Sequence, residues 1–441
     1  MGKRKNELSL KARGKHPVSS LNKTFNEVLK EAPTAFLIKR LSEVIRAKVP
    51  DAPDELVDAL ASHLATTPEA PFDWKGDDHT SPDIELTLTD DDLMPVFEAA
   101  RRFTEEELPE GMSLALANSA KKLVRSLKAD WPAQREYDDA AMVSFRTNLH
   151  ARWGAAFETL RMMYTIAVEV GGENAKAFNK SRAKRSRILK DTIIHLHARA
   201  CQVVLEIITL MESGLADGAM GRWRTLHEIT VVATLLAEHG EDLAVRYRAH
   251  AAVEAKRAMD RFIQYHEQLG YARPSIKEIA AIEKAYQARL DEFGDNFGSE
   301  YGWAAHHLNR KKPRLVDLEV AVGKGAMQSY YRLASYNVHA GARSIEFRLG
   351  LMAGAGMPVA LAGASNAGFV DPARNAANDL LVITILLSNG TARFDRMIAW
   401  QVLIELRDDL ARQLNKAQKA LEKAHRESLP GSARRHKTRK G

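Results

Sequence analysis

The fold is decided by residues 214–236, GLADGAMGRWRTLHEITVVATLL, the most regularly patterned stretch of the sequence. At 3.6 residues per turn its small and apolar side chains fall on one face, which predicts a buried central helix. Arg222 lies on the same face. Because a guanidinium in an apolar face is costly unless it is paired, we expect Arg222 to be largely buried and bonded to a carboxylate or to backbone carbonyls.

The helices around this stretch are predicted to form an antiparallel bundle. An apolar stripe at helical spacing runs from Ile194 to Met211 and ends at Gly214, where a C-terminal cap is expected. Further helices are predicted to end near Gly240 and Gly270, so the joints are short, which favours antiparallel neighbours. Aromatic residues make up only 7% of the chain while hydrophobic residues make up 45%, and alanine and leucine dominate. We therefore predict an all-α fold.

The chain is predicted to have four parts, defined by charge, prolines and apolar periodicity. They are a disordered basic arm (1–18), a smaller helical region (19–130), the helical bundle (135–430) and a disordered basic tail (431–441). Inside these parts a break near Trp131 is predicted to separate the helices 113–127 and 142–170. Helical periodicity weakens over 344–364, where a brief strand pair is an alternative.

Charge and cysteine content set the expected location and partners. The net charge of +7 is modest for 441 residues and suits an acidic partner such as RNA without requiring one. The single cysteine, Cys201, fits a reducing compartment. No apolar segment follows the basic start, and the apolar run 380–387 is too short to cross a membrane. We expect a soluble, cytoplasmic protein with no membrane partner.

The familiar enzyme signatures are missing from the sequence. It contains no phosphate loop, dinucleotide-binding glycine motif, nucleophile elbow or zinc-protease motif. His197 and Cys201 share a helix face, but that face is apolar, so we expect a buried hydrogen-bonded histidine and a small hydrophobe. His306 and His307 lack ligand partners at typical spacing. We expect no metal and no cofactor.

Arginine is followed by histidine at short spacing in two places, Arg222 with His227 and Arg332 with His339. This spacing resembles the motif of HEPN-type ribonucleases, small helical proteins that cleave RNA without a metal. A histidine can exchange protons with a 2′-hydroxyl or a leaving oxygen, and a guanidinium can neutralise the scissile phosphate. Residues seven positions apart lie on nearly the same face of a helix, as Arg332 and His339 do, so we predict a catalytic set of Arg332, Ser335 and His339.

A second group of polar side chains is predicted to bind the substrate. It comprises Arg222, Arg224, His227, Glu228 and Trp303. The last residue lies in the long loop 294–313, and long loops of compact domains are often functional. The structural alternative stays open, with Arg224 and Glu228 as an ordinary i,i+4 pair and Arg222 as a buried anchor.

Four segments together resemble the bacterial family DUF5677. They are GRWRTLHEI (221–229), RYRAH (246–250), YGWAAHHLNRKKP (301–313) and YYRLASYNVHAG (330–341). The resemblance covers about residues 190–400. It implies an all-helical domain and carries no established activity.

Two functions of different classes remain as hypotheses. The first is a HEPN-like, metal-independent RNA nuclease or toxin that serves in phage defence. The second is a non-catalytic helical interaction or scaffold module, in which Arg222 and His339 are structural. They are distinguished by whether Arg332, Ser335 and His339 face an open surface or a packed interior. The sequence leaves a homodimer open.

Overall fold

A computed structural model describes residues 17–74, 86–182, 186–352, 361–387 and 394–428. These residues form helices and connecting turns and contain no β-strand, which confirms the predicted all-α fold. The α-helices are α1 (Pro17–Lys48), α2 (Asp54–Thr66), α3 (Asp90–Arg102), α4 (Leu108–Lys180), α5 (Arg187–Glu212), α6 (Ala216–His239), α7 (Glu241–Ala249), α8 (Ala251–Tyr265), α9 (Ile276–Phe293), α10 (Leu315–Ala321), α11 (Gln328–Tyr336), α12 (Arg343–Glu346), α13 (Val370–Leu386) and α14 (Phe394–Ser428).

The chain divides into two compact units, residues 1–137 and residues 138–441. In the first unit α1, α2 and α3 pack their apolar faces together. Their buried side chains are Leu41, Ile45, Val57, Ala61 and Val96. This core is small, as expected for a few short amphipathic helices.

In the second unit the core is built around α5 and α6. Only three residues separate the two helices, so they must run antiparallel to bury their shared face. Gly214 makes this tight joint because it adopts φ of +79°, a left-handed conformation that costs glycine little. Leu215 N–H donates to Leu210 O at 2.8 Å, which closes the end of α5. The C-terminal part of α4, together with α13 and α14, completes the core.

The predicted break near Trp131 is wrong, because α4 continues through Pro132 to Lys180. A proline inside a helix removes one backbone hydrogen bond, and the carbonyl that loses its partner here lies on a helix segment whose side chains are exposed. Water can satisfy a carbonyl in that position. The helix instead changes its winding earlier, in a π-helical turn at Phe103–Glu107.

The strand pair considered for residues 344–364 is also wrong for the described part of that segment. The short helix α12 and turns occupy it, and residues 353–360 lie outside the described residues. The predicted disordered arms lie outside them as well, except that α1 already begins at Pro17.

One described helix, α5, is long and apolar enough to cross a membrane by length and composition alone. About half of its residues are buried against other parts of the second unit, among them Val204, Ile207 and Ile208. The core helix of a globular unit has the same composition.

Candidate functional site

Polar side chains gather along one side of α6 between Trp223 and Glu228. They meet α10, α11, α13 and the turn after α11, so residues far apart in the chain come together. Part of this group is fully buried and part reaches the surface.

The buried part is centred on His227, whose side chain is fully inaccessible to solvent. Its Nε2 lies 3.0 Å from Oε1 of Glu319. Its Nδ1 lies 3.6 Å from Oδ2 of Asp379. Both carboxylates are themselves only 2% exposed. Two buried carboxylates beside one imidazole are costly unless further donors reach them.

Trp223 and Lys324 supply those donors to Asp379. The indole Nε1 of Trp223 donates to Oδ2 at 2.8 Å, and Nζ of Lys324 donates to Oδ1 at 2.5 Å. Burial raises the pKa of Asp379, but the contact with His227 and the charge of Lys324 outweigh burial and hold that pKa below its usual value. Asp379 therefore stays ionised and ties α13 to α6.

The surface part is centred on Arg224, and it brings α6 against His339. Nη1 of Arg224 lies 3.0 Å from Nε2 of His339. A guanidinium can only donate hydrogen bonds, so Nε2 must accept and the neutral ring must carry its proton on Nδ1. His339 is exposed, and its ring is therefore open to a ligand on its free side.

Glu228 and Tyr331 fix the orientation of Arg224. Nε of Arg224 donates to Oε1 of Glu228 at 3.2 Å, and its guanidinium lies 4.6 Å from the centre of the Tyr331 ring. The Tyr331 hydroxyl donates to the same carboxylate oxygen at 2.5 Å. Burial and this hydrogen bond to Glu228 raise the pKa of Tyr331, so its hydroxyl remains a donor.

The predicted catalytic set does not lie on one continuous helix. Helix α11 ends at Tyr336, and Asn337 N–H bonds back to Ala334 O, which tightens the last turn. His339 N–H still donates to Ser335 O at 2.9 Å, but the chain then leaves the helix. The helical alignment of Arg332 with His339 is therefore wrong beyond Tyr336.

Arg332 and Ser335 have different surroundings. Arg332 is exposed, and it has no ion-pair partner in the part of the chain that the structure describes. Ser335 is half-buried and its hydroxyl donates to Tyr331 O at 2.8 Å. Ser335 thus braces the turn that carries Tyr331, while Arg332 is free to meet a ligand.

Two of the predicted substrate-binding residues lie apart from this surface group. Arg222 has the expected carboxylate partner, Glu206, with Nε 2.5 Å from Oε2. Its predicted burial is wrong, because 38% of the side chain is exposed. Trp303 is almost fully buried and packs edge-on against Tyr247 at 5.1 Å between ring centres. In this structure Trp303 is a core residue.

The sequence interpretation missed Glu319, Lys324 and Asp379. The signal was present, because Asp379 stands in the strongly apolar segment AANDLLVITILL and Glu319 in LVDLEVAV. A lone charge in an apolar helix predicts a buried partner, as argued for Arg222.

His197 and Cys201 are buried, as predicted. Nε2 of His197 lies 3.2 Å from the Thr384 hydroxyl. Burial lowers the pKa of His197 to about 4 and raises that of the Cys201 thiol to about 12, so both are neutral at pH 7. Within the described ranges no three histidine, cysteine or acidic side chains are arranged to hold a metal ion.

Two open cavities lie away from the surface group. An open cavity of about 390 Å³ lies elsewhere, lined by Phe178, Arg187, Ile188, Asp191 and Arg248. Another, of about 660 Å³, lies between α8 and α9.

Residues 190–355 match the family model of DUF5677, a family of unknown function, which confirms the resemblance seen in the sequence. The match ends at residue 355, whereas the resemblance in the sequence was expected to extend to about residue 400. It includes Arg224, Glu228, Tyr331 and His339, whereas Asp379 lies beyond it. No curated protein matches the chain, and no solved structure does.

Proposed function

We propose, taking residues 190–355 as a DUF5677 domain, that the chain is a metal-independent endoribonuclease with Arg224 and His339 at its active site. The proposal rests on one observation, the 3.0 Å contact between the guanidinium of Arg224 and Nε2 of His339 at an accessible surface. Residues 115 positions apart in the chain supply the two groups that metal-free cleavage of RNA requires: a proton acceptor and a phosphate-binding cation.

The reaction that fits these groups is transesterification by the neighbouring 2′-hydroxyl. His339 accepts the proton from the 2′-hydroxyl, the 2′-oxygen attacks phosphorus, and the bond from phosphorus to the 5′-oxygen breaks. Water protonates the departing 5′-oxygen, and the products are a 2′,3′-cyclic phosphate and a 5′-hydroxyl. Arg224 and Arg332 stabilise the charge on the phosphate oxygens, because guanidinium groups bind phosphate in a planar, two-pronged geometry.

In this proposal the other site residues act through Arg224 and His339. Glu228 and Tyr331 hold the guanidinium in place, and Ser335 braces the turn that carries Tyr331. When RNA arrives, a phosphate oxygen replaces His339 as the partner of Nη1, which frees Nε2 to accept a proton. The biological setting we propose is a cytoplasmic toxin used in phage defence, since an RNA-cutting site would stop growth of the cell that contains it.

The test is cleavage of a labelled single-stranded RNA by the purified full chain in the presence of EDTA. His339→Ala should lower the cleavage rate at least about 100-fold, as expected for loss of a general base. Arg224→Ala should lower it by a similar factor. The matched controls are His195→Ala and Arg199→Ala, two exposed positions on α5 that should cleave like the wild type.

Circular dichroism and the thermal midpoint distinguish a lost active site from a lost fold. His339→Gln and Arg224→Lys repeat the test with side chains that retain part of the native hydrogen bonding. The proposal is abandoned if the wild-type chain leaves varied RNAs intact with and without divalent ions. It is also abandoned if folded His339 variants cleave at the wild-type rate.

A second function, a non-catalytic helical interaction module, is favoured by a different observation. Arg224 already has Glu228, Tyr331 and His339 as partners, so the surface group is satisfied without a ligand. In that case Arg224→Ala would lower the thermal midpoint, and neither the wild type nor the variant would cleave RNA.

A further inference from the structure

Residues 307–331 run along α6 in the opposite direction to it. Three contacts give this order, because going forward along the segment they join His307 to His239, Glu319 to His227 and Tyr331 to Arg224. At 100° per residue these three α6 residues lie within about 120° of one another around the helix. The segment therefore covers one face of the C-terminal part of α6, and Arg224 lies on that face.

A cluster of basic side chains stands near the start of this segment. Residues 301–316 contain no acidic residue, and four basic residues fall within five positions. We call them the basic loop: Arg310, Lys311, Lys312 and Arg314. All four are exposed. Arg310 pairs with Asp317 at 3.3 Å, whereas Lys311 and Lys312 have no ion-pair partner among the residues that the structure describes. Like charges this close repel one another, and a bound polyanion relieves the repulsion.

The basic loop lies on the same side of α6 as Arg224. It is held between His307 and Glu319, whose partners on α6 are His239 and His227. Each of these partners lies within about 60° of Arg224 around the helix. At 1.5 Å per residue they are about 22 Å and about 5 Å from Arg224 along the axis. Both ends of the basic loop are therefore anchored on the C-terminal side of Arg224, within a short stretch of nucleic-acid backbone.

We propose that the basic loop is a second phosphate-binding site, which holds the backbone of single-stranded RNA beyond the nucleotide at Arg224 and His339. The inference rests on the proposed function, because that reaction places one phosphate of the strand at Arg224. Each further nucleotide adds a phosphate, so one strand carries negative charge to both places. Lysine binds phosphate as a point charge. Contacts of this kind position the strand without reading its sequence, so Lys311 and Lys312 act on affinity and take no part in bond breaking.

The first test is the binding of an uncleavable strand to the full chain. A labelled 2′-O-methyl RNA of about twelve nucleotides lacks the attacking hydroxyl, and fluorescence anisotropy gives its affinity at several salt concentrations. Lys311→Ala with Lys312→Ala should weaken binding at least about tenfold. It should also make the slope of log affinity against log salt shallower by about 1.4, because each lost contact with a single strand contributes about 0.7.

Two further variants control for charge and for side-chain chemistry. Lys419→Ala with Lys423→Ala removes the same charge from two exposed positions on α14 and should bind like the wild type. Lys311→Arg with Lys312→Arg keeps both cations and should also bind like the wild type. Circular dichroism confirms that all the variants are folded.

The second test compares cleavage of a short and a long substrate. A dinucleoside monophosphate has one phosphate, which lies at Arg224, so its kcat/KM should be the same in the wild type and in Lys311→Ala with Lys312→Ala. For an RNA of about twelve nucleotides the variant should raise KM at least about tenfold and leave kcat unchanged. Loss of activity on both substrates would place the two lysines in the reaction itself and overturn the inference.

The second phosphate site and the nuclease fail separately. If the wild type cuts no RNA but the lysine variant loses affinity for the uncleavable strand, the nuclease is refuted and the second site stands. If the wild type cuts RNA and the lysine variant keeps the wild-type affinity and salt slope, the second site is refuted alone. It is also refuted if the α14 variant loses as much affinity, or if the two lysines are required for binding vesicles of phosphatidylcholine and phosphatidylserine and not for binding RNA.

Discussion

At the scale of single residues, Gly171 of α4 shows how closely two core helices approach each other. A Cβ atom at this position would lie 2.8 Å from Cε1 and Nδ1 of His197, closer than side-chain contacts allow. The His197 ring is itself 2% exposed and bonded to Thr384, so it cannot swing away freely. The absence of a side chain at Gly171 therefore fixes the spacing between α4 and α5.

Gly171→Ala should destabilise the chain by about 1–3 kcal/mol, the usual cost of overfilling a packed core. The neighbouring Gly172 is a matched control, since a Cβ there meets no atom within 4 Å. Gly172→Ala should stabilise the helix by about 0.5–1 kcal/mol, because alanine is the better helix former. Urea unfolding gives the free energy of unfolding of both variants. Equal changes in the two variants would contradict the packing described here.

His197 also predicts how stability depends on pH. Burial lowers its pKa from 6.5 to about 4, so below pH 6.5 the unfolded chain binds a proton that the folded chain does not. Stability attributable to this residue is therefore complete above pH 6.5 and falls as the pH drops to about 4, by about 3 kcal/mol in total. His197→Gln should unfold with a weaker pH dependence between pH 7 and pH 4.5. If the free energy of unfolding varied with pH in the same way for the wild type and for His197→Gln, the imidazole would not be buried in its neutral form.

Helical periodicity correctly predicted the buried residues of α5, but on α6 it placed the buried polar group at the wrong residue. His197 and Cys201 lie in the core because their neighbours at three and four residues are apolar, and that argument needs only the sequence. For α6 the same argument predicted that Arg222 is buried. Trp223 and His227, four residues apart, are instead the fully buried residues of this part of the helix. One residue corresponds to 100° around a helix, so a long arginine at the edge of an apolar face can reach solvent.

At the scale of elements, the buried charges connect helices that periodicity treats separately. His227, Glu319 and Asp379 belong to α6, α10 and α13. Each helix is predictable from its own apolar pattern, but the meeting of the three charges depends on tertiary packing that brings His227 to Glu319, 92 positions away, and to Asp379, 152 positions away. The sequence indicates that a lone Asp379 in an apolar helix needs a partner and does not say which one.

Asp379→Ala should destabilise the chain by about 3–5 kcal/mol, because Lys324 and the Trp223 indole lose their acceptor in a buried setting. Asp260→Ala is the control: it removes an i,i+4 ion pair with Lys256 on the exposed surface of α8 and should cost less than about 1 kcal/mol. Thermal and urea unfolding compare the two. A loss at Asp379 no larger than that at Asp260 would mean that the buried cluster contributes little.

At the scale of the whole molecule, composition and periodicity were sufficient to predict an all-helical chain. They could not predict that α4 runs unbroken from Leu108 to Lys180, because the cost of Pro132 depends on whether its unpaired carbonyl meets solvent. They also could not predict the contact between Arg224 and His339, since these residues are 115 positions apart and the chain between them folds as several helices. The surface group is therefore a product of the fold of residues 190–355, the part that matches DUF5677.

The proposed chemistry is tested most directly by the ends of the RNA that the full chain produces. One strand is compared with the same strand carrying a single 2′-deoxy nucleotide at the cleavage position, both in EDTA, and the products are weighed by mass spectrometry. We expect a 2′,3′-cyclic phosphate and a 5′-hydroxyl from the first strand and no cut at that position in the second. Cleavage of the 2′-deoxy position, or products with a 5′-phosphate, would contradict a reaction in which His339 takes the proton of the 2′-hydroxyl.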